Sequence, residues 1–169
     1  MDDLERSLVM AAADGDRSAF GRLAERHWAR LTRLARSVTG PADCEDAVQE
    51  GLLAAWQGLS GLADPNRFGA WVTRIVFRRC LRRLRQVGAV PLELVAEPAT
   101  DTDPDSSLLV WQLLAMLAPR QRAVMHLTVV EGMSDSEIAQ RLGLRAASVR
   151  AHRRRARECI EAALRGGRR

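Results

Sequence analysis

The 169-residue chain contains no lysine; all 26 of its basic residues are arginine. The planar guanidinium fork suits phosphates and base edges, but a GC-rich genome produces the same bias, so the total assigns nothing by itself. Cysteine is scarce. Cys44, Cys80 and Cys159 are far apart and odd in number, and none lies in a CxxC or beside histidines at metal-ligand spacing. That excludes a disulfide scaffold and a zinc site and leaves three small buried or half-buried thiols, with a redox switch as the alternative. No apolar run approaches the roughly 18 residues of a membrane span. The start, MDDLERSLVM, lacks the basic and apolar regions of an export signal. A cytoplasmic protein without membrane insertion is expected. No strand-like alternation, hairpin signal or internal repeat is present. His27, His126 and His152 are scattered without a Ser or Cys partner, and the acids form no metal-ligating cluster. No catalytic residue, metal or cofactor is therefore expected, and an enzyme that processes nucleic acid is disfavoured.

What is present is a foldable composition, 47% apolar and 28% charged, long enough for one ordinary domain or two small ones. Its charge is segregated. Residues 1–89 hold 14 Arg against 11 acids, residues 90–118 hold none against 5, and residues 119–169 hold 12 against 5. The stretch GAVPLELVAEPATDTDPDSS, residues 88–107, carries three prolines and five acids with no base and interrupts helical periodicity on both sides, so it reads as a flexible linker. Before it, apolar spacing predicts helices over residues 16–38, about 42–59 and about 66–86. After it, helices are predicted over residues 107–117, 119–130, 135–142 and 146–164. The expected fold is all-α: an N-terminal helical bundle (1–87), the acidic linker (88–107) and a C-terminal four-helix domain (108–169).

Within the C-terminal domain, Ser134 and Glu137 have the S-x-x-E spacing of a capping box, which predicts a helix start. Ile138, Ala139 and Leu142 give that short helix one apolar side, Gly143 supplies a turn and a long helix follows, which is the layout of a helix-turn-helix. On the second helix, SVRAHRRRAR places five arginines in ten residues. Val149, Ala156 and Ile160 share one face, while Arg150, Ala151, Arg154 and Arg155, with Ser148 near the helix start, lie away from it. So dense a set of like charges repels itself unless a polyanion is close. Arg153 falls towards the apolar side and needs an acid or a route to solvent. Arg145 stands where an N-cap Ser, Thr, Asp or Asn is expected.

The helix over residues 42–59 divides its faces: Asp43, Asp46, Gln49, Glu50 and Leu53 cluster on one side, with Val48, Leu52, Ala55 and Leu59 opposite. The acidic side reads as either a solvated surface or a dock for an arginine-rich protein. On the next helix Arg74, Arg78, Arg82 and Arg85 form one continuous edge. Phe68 and Trp71 lie near that edge. Aromatic rings beside arginines are what a surface needs to stack and hold unpaired bases, although Trp71 equally suits the core.

The combination DCEDAVQEGLLAAW, RFGAWVTRIVFRRCLRRLR, an acidic linker and LLAMLAPRQRAVMHLTVVEGMSDSEIAQRLGLRAASVRAHRRRARECI resembles the extracytoplasmic-function group of bacterial RNA polymerase sigma factors over nearly the whole chain. The resemblance implies a non-enzymatic subunit that binds core RNA polymerase and directs it to promoter DNA, with an anti-sigma factor as a further partner. It implies a polymerase-docking role for Asp46, Gln49 and Glu50, with Asp43 beside them. Asn66, Arg67, Phe68, Trp71, Arg74, Arg78 and Arg82 would read and open the minus-10 element, and Ser148, Arg150, Ala151, Arg154 and Arg155 the minus-35 element. The alternative left by the residues is a helix-turn-helix repressor or activator with an unrelated N-terminal oligomerisation domain.

Overall fold

A computed structural model describes residues 3–86 and 113–166 of the chain. The described residues are helical, with turns and no strand, as expected. The linker, the domain boundaries beside it and the start of the helix expected over residues 107–117 lie outside them. In chain order the helices are α1 (Asp3–Ala13), α2 (Arg17–Thr39), α3 (Cys44–Gly58), α4 (Phe68–Gln86), α5 (Pro119–Val129), α6 (Asp135–Leu142) and α7 (Ala146–Gly166). Residues 113–115 are also helical.

Helix α1 is an addition to the sequence reading. Its buried residues Glu5, Leu8, Val9 and Ala12 repeat at helical spacing, but the stripe contains a carboxylate and is only one helix face long, so the apolar pattern is weak. Other starts follow local chemistry. Asp16 caps α2 by accepting from the backbone amides of Ser18 at 2.8 Å and Ala19 at 3.1 Å. The helix expected from residue 66 begins at Phe68 instead, because Pro65–Arg67 forms a separate 3-10 turn in which Asp64 accepts from the Asn66 amide. Ser134 and Glu137 form the capping box at α6, the Glu137 carboxylate accepting from the Ser134 amide at 2.8 Å. Gly143 closes α6 with φ 68°, a left-handed conformation that favours glycine.

Helices α1 to α4 form one bundle, with α3 and α4 in especially close contact. A Cβ on Gly51 would lie 2.5 Å from Val76 Cγ2, so glycine is what lets these two backbones approach. Helices α5 to α7 form the second bundle. The two bundles do not stand apart: α2 packs on α5 and α4 on α6, and one cluster of buried side chains runs from Leu8 through Leu23, Leu31 and Phe77 to Leu127, Ile138 and Val149. Each such side chain contributes about 1.5–3 kcal/mol by leaving water.

Polar atoms are less well served on the helices that join the bundles and in the turn between α5 and α6. Arg74 Nε, Arg122 Nε, His126 Nε2, Glu131 Oε1 and Arg141 Nε are buried without a hydrogen-bond partner, at a cost of about 1–3 kcal/mol each. Burial, helped by the positive field of Arg33, pulls the His126 pKa from 6.5 down to about 4. Between those values the unfolded chain binds more protons than the folded one, so stability rises with pH through that window. This contribution is complete above pH 6.5 and is lost as pH falls towards 4. Acidification from pH 7.5 to pH 5 is expected to cost roughly 2 kcal/mol through this group. Thermal melts should show a Tm lower by about 4–8 °C and a shallower pH dependence in His126→Gln; an unchanged slope in that variant would refute the assignment.

Candidate nucleic-acid and partner interfaces

On α7, Val149 and Ala156 are fully buried and Ile160 is half-buried, while Arg150, Arg154 and Arg155 are exposed, with Ser148 and Ala151 half-buried between them. The arginine face expected from the sequence therefore points away from the core. Arg154 is 70% exposed and makes a loose 3.6 Å approach to Glu158 one turn on. Arg153 meets the acid its apolar-side position required. Its Nη1 and Nη2 reach Asp135 Oδ1 and Oδ2 at 2.6 and 3.1 Å, which ties the arginine helix to the start of α6. Arg145 directly precedes α7, and its carbonyl accepts from the Val149 amide. Partial burial, and then the nearby charges of Arg120 and Arg155, lower the His152 pKa below that of a free imidazole.

On α4, Arg78, Arg82 and Arg85 are exposed, but Arg74 is half-covered. Its Nη2 donates to the Gln140 carbonyl of α6 at 2.6 Å, and its side chain lies where a Cβ on Gly143 would come within 3.0 Å of it. Asn66 and Arg67 are exposed on the turn before α4, with Arg67 3.4 Å from Asp64. Phe68 departs from expectation. It is 0% exposed, stacked edge-on against His27 at 5.3 Å, so its ring is not available to a base. As the first residue of α4 it starts the stripe Phe68, Val72, Val76 that faces the core, and neighbouring Asn66 and Arg67 in the sequence hid this. Trp71 is half-buried, 6.0 Å from Phe68, and keeps one part in solvent.

On α3, Asp46, Gln49 and Glu50 are exposed together with Leu53, which is 60% exposed, while Val48, Leu52 and Ala55, and Leu59 just past the helix end, are buried. The sequence reading missed Arg83. From α4 its Nε donates to Asp43 Oδ1 at 3.0 Å, its Nη2 to Asp46 Oδ2 at 2.8 Å and its Nη1 to Glu50 Oε1 at 3.0 Å. The hydrogen bond to Asp43 is the main reason its pKa rises above that of an ordinary guanidinium. Arg83 continues the spacing of Val72, Val76 and Cys80, the residues by which α4 meets α3, and that was the available signal.

A second network fixes the base of α4. His27 Nε2 lies 2.9 Å from Glu5 Oε1, and Arg30 Nη2 lies 3.0 Å from His27 Nδ1, also reaching Gly69 O and Thr73 Oγ1. Burial is the main cause that lowers the His27 pKa, in keeping with a neutral ring that accepts from Arg30. Cys44 and Cys80 are buried, and desolvation raises both thiols, Cys80 to about 12, which keeps them protonated and poorly nucleophilic. Cys159 is half-buried. Among the described residues no helix is long and apolar enough to cross a membrane.

Residues 23–89 match the Sigma-70 region 2 family, and residues 107–160 match Sigma-70 region 4. The chain is 35% identical to the RNA polymerase sigma factor NccH of Alcaligenes xylosoxydans xylosoxydans, with 95% of each chain covered. It is 34% identical to the ECF RNA polymerase sigma factor SigM of Mycobacterium tuberculosis, with 90% of this chain and 81% of that one covered. Its fold is similar to CnrH solved in complex with the cytosolic domain of CnrY, at a TM-score of 0.72 and 35% identity, covering 97% of this chain and 99% of that one.

Proposed function

The chain belongs to the extracytoplasmic-function group of bacterial RNA polymerase sigma factors, which direct core polymerase to promoters without catalysing a reaction themselves, and from that premise we propose how its surfaces divide the work. The face of Asp43, Asp46, Gln49 and Glu50 docks on core polymerase. Arg74, Arg78 and Arg82, with Asn66, Arg67 and the exposed part of Trp71, engage the minus-10 element and its unstacked bases. Arg150, Arg154 and Arg155, flanked by Ser148 and Ala151, enter the major groove at the minus-35 element. The protein works in the cytoplasm, and an anti-sigma protein antagonises it, as suggested by the likeness to CnrH bound to CnrY. A regulator with an unrelated oligomerisation domain is set aside, since region 2 accounts for the N-terminal bundle.

The observation that carries this reading is that one chain presents an acidic face on α3 and two separate arginine faces on α4 and α7, each turned away from its own bundle core. Each arginine face is small and binds DNA weakly alone. Polymerase, by holding both, raises their effective concentration along the promoter. The packed arrangement of the bundles cannot serve both elements at once. The minus-35 and minus-10 elements are about 25 base pairs apart, roughly 85 Å of B-form DNA, whereas a compact body of this size is about 35–40 Å across. Opening therefore belongs to the cycle, and it also uncovers Arg74.

The test is transcription by reconstituted holoenzyme. Arg150→Ala with Arg154→Ala is expected to lower promoter-specific initiation about 30-fold or more, at about 1–3 kcal/mol for each lost base or phosphate contact, while affinity for core polymerase changes less than about twofold. Equal loss of both activities would refute a DNA role for α7.

A further inference from the structure

We infer that Arg83 is a positioning residue for polymerase docking: its one guanidinium holds the carboxylates of Asp43, Asp46 and Glu50 in the geometry that the partner meets. The inference rests on the docking role proposed above for the acidic face of α3.

The three acids run from the N-cap Asp43 along successive turns of α3, close enough to repel one another and to spread over several rotamers if nothing gathers them. Arg83 gathers them from outside that helix. Each of its three nitrogens serves a different carboxylate, at 3.0 Å to Asp43, 2.8 Å to Asp46 and 3.0 Å to Glu50. A guanidinium presents its donors in a fixed planar fork, so this contact sets directions as well as charge. Fixing the side chains before the encounter removes part of the ordering cost that binding otherwise carries.

The clamp leaves the face usable. Asp46 engages Arg83 through Oδ2 and Glu50 through Oε1, so each carboxylate meets the clamp with one of its two oxygens. The two side chains remain 62% and 53% exposed, whereas Arg83 itself is 25% exposed. Three carboxylates against one guanidinium leave two negative charges facing outward, with Leu53 exposed one turn on. The surface fits a partner that brings at least two basic groups flanking an apolar contact. Because Arg83 stands on α4, the clamp also ties the docking face to the helix that carries the arginine stripe, across the close Gly51–Val76 contact.

Lysine at this position keeps the charge and most of the aliphatic stem but offers a point charge in place of a fork. Full-length Arg83→Lys is expected to bind core polymerase about five- to tenfold more weakly, mostly through faster dissociation, with Tm within about 2 °C of wild type. In a background of Asp46→Asn with Glu50→Gln, the same Arg83→Lys change should have much less further effect, since two of the three carboxylates it positions are then uncharged and Asp43 alone remains to be held. Wild-type affinity in Arg83→Lys, or an equal loss in both backgrounds, would overturn the positioning role while leaving the docking face intact. If the amide pair itself binds polymerase normally, the docking assignment fails and the inference falls with it.

Discussion

Core polymerase is expected to bind the Asp46→Asn, Glu50→Gln double variant about a hundredfold more weakly than the wild-type chain. Charged pairs that lose water at an interface are worth about 2–5 kcal/mol when one partner is removed, much of it the cost of stranding the other charge. Two such losses, not fully additive, give two orders of magnitude or more. Stability should change little, because the same carboxylates are more than half exposed in the folded chain. Exposed ion pairs contribute about 0–1 kcal/mol each, and Asp43 still engages Arg83. The amides are preferred to lysines, since reversal would crowd new cations against Arg83 and confuse lost docking with a disturbed α3–α4 contact. Affinity measured at two salt concentrations, beside a thermal melt, checks the prediction. Unchanged affinity, or a Tm lowered by more than about 5 °C, would contradict it.

The elements that local chemistry dictates were legible in the chain. Asp16 at the head of α2, the Ser134–Glu137 capping box and Gly143 behind α6 each act within a few residues of themselves, so the structure holds them where spacing put them. The faces of α3 and α7 were legible for the same reason: helical periodicity alone sorts Val48 and Leu52 from Asp46 and Glu50, and Val149 from Arg150 and Arg154. What escaped depends on partners distant in sequence. Arg83 looks like one more basic residue until α3 is laid beside α4, because its three acceptors are 33 to 40 residues away. Glu5 makes α1 look weakly amphipathic until His27 is placed against it. Phe68 looked exposed beside Asn66 and Arg67 because the break between the 3-10 turn and α4 changes which way successive side chains point. The largest gap was the packing of α2 on α5 and α4 on α6, for which the bundles' separate apolar faces offered no sign.

That packing leads to the second large effect: the two bundles should separate when polymerase and promoter are added. Labels at Gln57→Cys on α3 and Ala162→Cys on α7, both exposed positions, report the distance. Cys159→Ser removes the half-exposed native thiol, while burial keeps Cys44 and Cys80 protonated and slow to react. In the isolated chain the separation is expected to stay within about 40 Å, the width of a compact body of this size. In the complex with polymerase and promoter it should exceed about 60 Å, as the spacing of the two elements along B-form DNA requires. To move a 99:1 closed population to 1:99 open, polymerase and promoter together must favour the open form by about 5.5 kcal/mol. The packed state makes that shift attainable, since Arg74 Nε against α6, and His126 Nε2 and Arg141 Nε near Arg33 and Arg30 of α2, are buried without hydrogen-bond partners, and opening returns such groups to water. It also releases Arg74 from the Gln140 carbonyl, so one step would both expose the arginine stripe of α4 and let α7 reach a second site. High transfer between the labels that persists in a transcribing complex would show that the bundles act without parting, and would remove the reason given for the covering of Arg74.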